Sequence, residues 1–81
     1  MKKLIQHIEK FPLTVRPLQL IQHFLFVSSG TLNVNEGIKQ RNFKKESCLL
    51  LQKGKTYTIS QVGDENIDVY EFKSVKKATT N

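Results

Sequence analysis

The chain contains no tryptophan, one cysteine, two prolines and two histidines in 81 residues, and seven acidic residues against thirteen basic ones. Each scarcity narrows the field. A lone Cys48 can form no internal disulfide, so this is not a disulfide-stapled scaffold; beside Leu49 to Leu51 it is expected to serve as a small buried hydrophobe. His7 and His23 are the whole imidazole complement and no His-x-His pair occurs. An open metal site needs several nitrogen and carboxylate ligands converging, so none is expected. No Ser/His/Asp or Cys/His arrangement is better supported. The chain is therefore read as non-enzymatic, with no catalytic residues, metal or cofactor, and with structural or surface roles for both histidines. No apolar run approaches the roughly 20 residues of a membrane-spanning helix, so no membrane partner is expected. Gln6, His7, Glu9 and Lys10 interrupt the apolar stretch that the basic start Met1-Lys2-Lys3 would need as a secretion signal, which favours a cytoplasmic address.

What is present is a soluble composition, 38% hydrophobic and 25% charged, with a formal net charge of +6. At this length one thin core is affordable and a second is not. The basic balance attracts polyanions. Yet the cations fall in ends and turns (Lys39, Arg41, Lys44 and Lys45; Lys53 and Lys55; Lys73, Lys76 and Lys77), where lysine also keeps exposed strand edges from pairing with other chains.

Periodicity supplies the fold class. Two apolar stretches, His23 to Val27 and Cys48 to Leu51, each meet a glycine, Gly30 or Gly54, and then resume as alternating sequence. That is the pattern of an antiparallel barrel or sandwich. Leu4, Ile5, Ile8 and Phe11 stand near helical spacing, so residues 1–17 are expected to form an N-terminal arm or short helix, with Pro12 and Pro17 bracketing Leu13 to Arg16. A β domain is expected over residues 18–73. It opens with a strand from Leu18 to Val27, with Phe24 and Phe26 on one face and Leu25 and Val27 on the other. A bend or bulge at Ser28-Ser29-Gly30 follows, and then Leu32 and Val34 point inward. Asn35-Glu36-Gly37 predicts a hairpin joining 30–35 to 38–44, whose second strand buries little beyond Ile38 and Phe43 and so lies at or near an edge. Strands at 47–51 and 56–60 come next. After the polar turn 63–66, Ile67, Val69 and Glu71 alternate with Asp68, Tyr70 and Phe72. Residues 74–81 are expected to be a flexible tail or linker.

The order apolar strand, Ser29-Gly30-Thr31-Leu32, hairpin, Leu49-Leu50-Leu51, a two-residue spacer, Gly54, Lys55-x-Tyr57-x-Ile59, polar turn, Ile67-x-Val69-Tyr70-Glu71-Phe72 resembles the N-terminal regulatory domain of AraC/XylS-type bacterial transcription regulators, over roughly residues 20–73. The resemblance implies an all-β, small cupin-like barrel or jelly-roll sandwich that senses an effector, mediates dimerisation, or both. It also implies an arm near Phe11 to Arg16 and DNA binding by a separate C-terminal helix-turn-helix module. The nine residues after Phe72 cannot supply that module. On this reading the chain is a homodimer with a small-molecule effector. Phe24, Phe26, Tyr57 and Tyr70 are the candidates for lining its pocket, since aromatic rings supply area and tyrosine hydroxyls a polar handle. Simple core filling by the same rings is the competing account. Two further classes stay open. One is a stand-alone basic β-barrel that binds nucleic acid, with Lys39, Arg41, Lys44, Lys45 and Lys55 tracking phosphates and nearby aromatics stacking on bases. The other is a small phage or plasmid protein that binds and inhibits a host protein.

Overall fold

The computed structural model describes residues 3–75. Eight strands account for its regular structure: β1 (Lys3–Ile8), β2 (Leu13–Val15), β3 (Ile21–Ser29), β4 (Leu32–Glu36), β5 (Lys39–Phe43), β6 (Cys48–Leu51), β7 (Tyr57–Gln61) and β8 (Asp68–Val75). They form two four-stranded antiparallel sheets, ordered β1-β8-β3-β6 and β2-β7-β4-β5. The chain crosses between sheets at most connections, which is the winding of a jelly roll. The all-β class read from the sequence is the class observed.

Alternation explains which faces meet. Leu25 and Val27 of β3, Leu32 and Val34 of β4, Leu49 and Leu51 of β6, Tyr57 and Ile59 of β7 and Val69 of β8 form the inner layer, completed by Ile8, Val15 and Ile67. Leu25, Val27, Leu32, Ile59 and Val69 are fully enclosed. Each such side chain contributes about 1.5–3 kcal/mol by leaving water, so this thin layer carries most of the driving force. The expected hairpin forms between β4 and β5, with Glu36 opposite Lys39, and β5 is an edge strand as read from its poor apolar content.

Several expectations need correction. Residues 3–8 are a strand and not a helical turn: a six-residue segment is too short to hold a helix unaided, whereas β8 offers it a continuous ladder from Lys3–Ser74 to Ile8–Val69. With β2 paired to β7, the segment read as an arm supplies the outermost strand of both sheets. The strand placed at Leu18 begins at Ile21, because a turn closed by Ile21 N–H donating to Leu18 C=O leaves Leu18 and Leu20 exposed. Ile38 sits at the hairpin tip and is fully exposed, so the core gains nothing from it. Cys48 is exposed, because Leu49 and Leu51 take the inward positions of β6. Ser74 and Val75 belong to β8; the remainder of the expected tail lies outside the described residues.

The bend read at Ser28-Ser29-Gly30 is a bulge in the β3–β8 ladder between Val27 and Ser29. Gly30 follows it at φ +78, and a Cβ there would stand 2.4 Å from Ile67 Cγ2 and 2.6 Å from the Asn66 carbonyl oxygen. Gly37 has φ +60 with open space around it. Gly37→Ala should therefore cost about 1 kcal/mol, the left-handed penalty alone. Gly30→Ala should cost about 3 kcal/mol or more, because steric overlap with backbone adds to that penalty. Urea denaturation of the two variants measures the difference.

Candidate functional site

Because each sheet ends in an unpaired edge, the two sheets do not close on each other along their flanks. On one flank, β1 and β2 part to leave a cleft of about 490 Å³, lined among others by Gln6, Lys10, Arg16, His23, Glu71 and Lys73. His23 and Glu71 reach it from neighbouring strands: Leu25 stands opposite Glu71 and His23 opposite Lys73, so the two side chains share the inner face. Their side chains are only 5% and 10% exposed, and His23 Nε2 lies 2.5 Å from Glu71 Oε2. Lys73 Nζ is 3.8 Å from the other carboxylate oxygen. Two polar groups buried at the end of an apolar core would be costly alone; paired, each supplies what the other needs. The result is a polar floor under a partly basic rim.

The opposite flank, between β5 and β6, holds a second cleft of about 440 Å³. Lys39, Arg41 and Lys55 line it, beside Phe43 and Tyr57. Lys55 Nζ is 2.9 Å from Glu36 Oε2. That hydrogen bond, followed by the charge of Glu36, holds the Lys55 ammonium above its ordinary pKa. The Arg41 guanidinium stands 5.1 Å over the Phe43 ring. Tyr57 is buried, with its hydroxyl accepting from the Gln52 N–H at 3.0 Å. Lys44 follows β5, and both Lys44 and Lys45 are exposed.

A third feature is an apolar groove of about 600 Å³ on the outer face of the β1-β8-β3-β6 sheet, formed by Ile5, Phe24, Phe26, Cys48 and Phe72, with Leu4 at its margin. Leu4, Ile5 and, on the same sheet, Leu50 are more than half exposed. The outer face of the other sheet is polar by contrast: Asn33 Nδ2 donates to Asn42 Oδ1 at 2.8 Å and Asn35 Nδ2 to Asn33 Oδ1 at 3.2 Å.

The four aromatic pocket candidates do not share one pocket. Phe24 and Phe26 line the outer groove, and Tyr70 lies on that same outer face with its ring 5.0 Å from His7. Tyr57 faces inward at the opposite flank. The face alternation was legible, but which face enclosed a cavity was not. Of the basic candidates, Lys39, Arg41 and Lys55 come together and Lys44 and Lys45 do not line their cleft. Arg16, Lys73 and the His23–Glu71 pair were missed as a group. The available signal was an ionisable residue at an inward register position on each of two long strands.

His7 Nε2 lies 3.2 Å from Asp68 Oδ1, while Ser29 Oγ donates to Asp68 Oδ2 at 3.0 Å. Among the described residues no three of His, Cys, Asp and Glu converge, and His23 and Glu71 already satisfy each other. The donor set does not fit a metal centre of the kind some cupins carry.

In fold, the chain is similar to the cupin domain of Schizosaccharomyces pombe Cnp3, with a TM-score of 0.64 and 14% identity over 91% of this chain and 52% of that one. It is likewise similar to a Cupin 2 conserved barrel domain protein from Salinispora arenicola CNS-205, with a TM-score of 0.62 and 14% identity over 88% and 74% of the two chains. The chain thus spans about half the length of the first of these. No family model and no curated protein matches it in sequence. The fold is that of a small cupin barrel.

The buried pair makes a measurable claim on stability. Removing one partner, in His23→Leu or Glu71→Leu, should cost about 3 kcal/mol, because the other is left buried and unmatched. The double replacement should cost less than the sum of the two, and a double-mutant cycle by urea denaturation reads that coupling.

Proposed function

We propose that this chain is a non-catalytic, ligand-sensing cupin domain of the kind found in AraC-type regulators, with its effector seated in the β1–β2 cleft. The observation that carries this reading is a cleft of small-molecule size whose floor is a buried polar pair and whose rim is basic. A ligand there would touch β1 and β2, each held by only one neighbouring strand, together with β3 and β8 in the sheet interior. By bridging the two sheets it would favour the closed arrangement of that flank, and a regulator transmits such a shift in population to its output.

Dimerisation is the second part of the proposal, and the apolar outer groove favours it. Its partner is a second copy of this chain. Lys73, the one charged residue that borders the groove, turns its ammonium to Glu71 on the inner side, so two such faces meet with little charge to strip of water in a chain that otherwise carries +6. Direct nucleic-acid binding is less well served. In the basic cleft Lys55 is neutralised by Glu36, the Phe43 ring is covered by Arg41, and Tyr57 is buried, which leaves no free ring there for base stacking.

Thermal unfolding against a panel of neutral, cationic and anionic metabolites tests the sensing role. A saturable rise in Tm of several degrees is expected for at least one compound, with amide NMR shifts on β1, β2 and β8. A panel without any response in that cleft removes the reading. For association, sedimentation should find a dimer at micromolar concentration, and Ile5→Glu or Leu50→Glu, at exposed positions of the outer face, should give a folded monomer. A native chain that stays monomeric near millimolar concentration refutes the interface. An immunoblot of native cells should show a band at least twice 9.4 kDa if the sensor is joined to its DNA-binding module.

A further inference from the structure

We infer that the β1–β2 cleft selects a small hydroxylated carboxylate, with His23 Nδ1 accepting a hydrogen bond from a ligand hydroxyl and Arg16 and Lys73 meeting the carboxylate. This rests on the cleft being the ligand seat and adds the chemical class of the ligand.

The histidine sets the first requirement. His23 is 4% exposed and Nε2 is held by Glu71. The carboxylate accepts, so Nε2 donates, and in the tautomer that this bond selects Nδ1 is a lone pair. Nδ1 has no partner among the described residues, and no side-chain nitrogen or oxygen there is both fully buried and unpartnered. Nδ1 therefore retains contact with the cleft, which His23 lines. A ligand that displaces solvent from it must bring a donor of its own, a hydroxyl or an N–H, or leave a polar atom unpaired.

The charges set the second requirement. Lys10, Arg16 and Lys73 face the cleft, against Glu9 and Glu71. Glu71 is engaged on both oxygens, by His23 and by Lys73, so its charge is the most fully compensated. Lys10 and Arg16 have no salt-bridge partner among the described residues. The rim thus carries an excess of one cation, and a guanidinium fork matches a carboxylate geometrically. An amine would meet a net positive rim. A neutral sugar would satisfy Nδ1 but leave Arg16 unused, and a plain fatty acid would do the reverse. A hydroxy acid satisfies both.

Amide NMR titration of the full chain distinguishes these cases. The probes are glycolate, lactate and gluconate, matched against acetate, propionate and hexanoate and against glucose and sorbitol. At least one hydroxy acid should saturate shifts on β1, β2 and β8 with about tenfold tighter binding than its unhydroxylated match or either neutral polyol. Arg16→Gln, at an exposed position, should weaken that binding about tenfold and abolish its preference over the polyols. His23→Gln should remove the preference over the unhydroxylated acid. If that buried variant does not fold, the Arg16 variant and the matched probes still decide. Equal binding of hexanoate or sorbitol in the cleft overturns the ligand class while leaving the cleft as the seat. No binding of any hydroxy acid at millimolar concentration also overturns it. The broader panel then separates the two failures: another compound in the cleft spares the sensing role, and none removes both.

Discussion

β3 and β8 pair from Ile21–Val75 to Ser29–Asp68, and the other two strands of their sheet hang on them, β6 on β3 and β1 on β8. This long ladder fixes the pleat, and the pleat fixes which side chains enter the barrel. Leu25, Val27 and Val69 fill its middle, while the same alternation carried toward the other end points His23 and Glu71 inward. The buried polar pair is therefore a consequence of register: a one-residue slip between the two strands would put His23 and Glu71 on opposite faces and bring either Phe24 and Phe26 or Phe72 inside. The bulge after Val27 and the close approach of Gly30 to Ile67 end the ladder where the chain must turn to the second sheet.

The clefts follow from the same topology. A jelly roll of two four-stranded sheets has four edges, and here consecutive strands β1–β2 and β5–β6 occupy facing edges on opposite flanks. The clefts open where backbone pairing stops, and the strands nearest each opening are supported from one side only. A binding site placed there can respond to its occupant, whereas the enclosed middle of the barrel cannot, since Leu25, Leu32, Ile59 and Val69 already fill it. Filling by the protein's own side chains, the competing account of the aromatic residues, applies to Tyr57, while Phe24 and Phe26 face outward.

Much of this was legible in the sequence and some was not, for separable reasons. The β4–β5 hairpin, the edge position of β5, the bulge before Gly30 and the inward positions of Leu25, Val27, Leu32, Val34 and Val69 follow from alternation and turn residues, which act locally. β1 was not legible as a strand because its hydrophobic spacing also suits a helix, and the deciding factor, a free edge on β8, lies more than sixty residues away. Ile38 and Cys48 misled for a related reason. Hydrophobic identity suggests burial, but the tip of a turn and the outward phase of a short strand override it. The candidate site was least legible, because it joins single residues from β3 and β8 to the rim residues of β1 and β2, and no contiguous motif records that arrangement.

The two outer faces differ in kind. One carries Phe24, Phe26, Phe72 and Ile5; the other is tied together by Asn33, Asn35, Asn42 and, through its hydroxyl, Ser60. Added salt would therefore act on this molecule in opposite senses. Screening relieves the repulsion between two chains of like charge and strengthens any apolar contact between their sheets, while it weakens whatever the cationic edges attract. Ionic strength thus becomes a dial that separates what this barrel does with its apolar face from what it does with its charge.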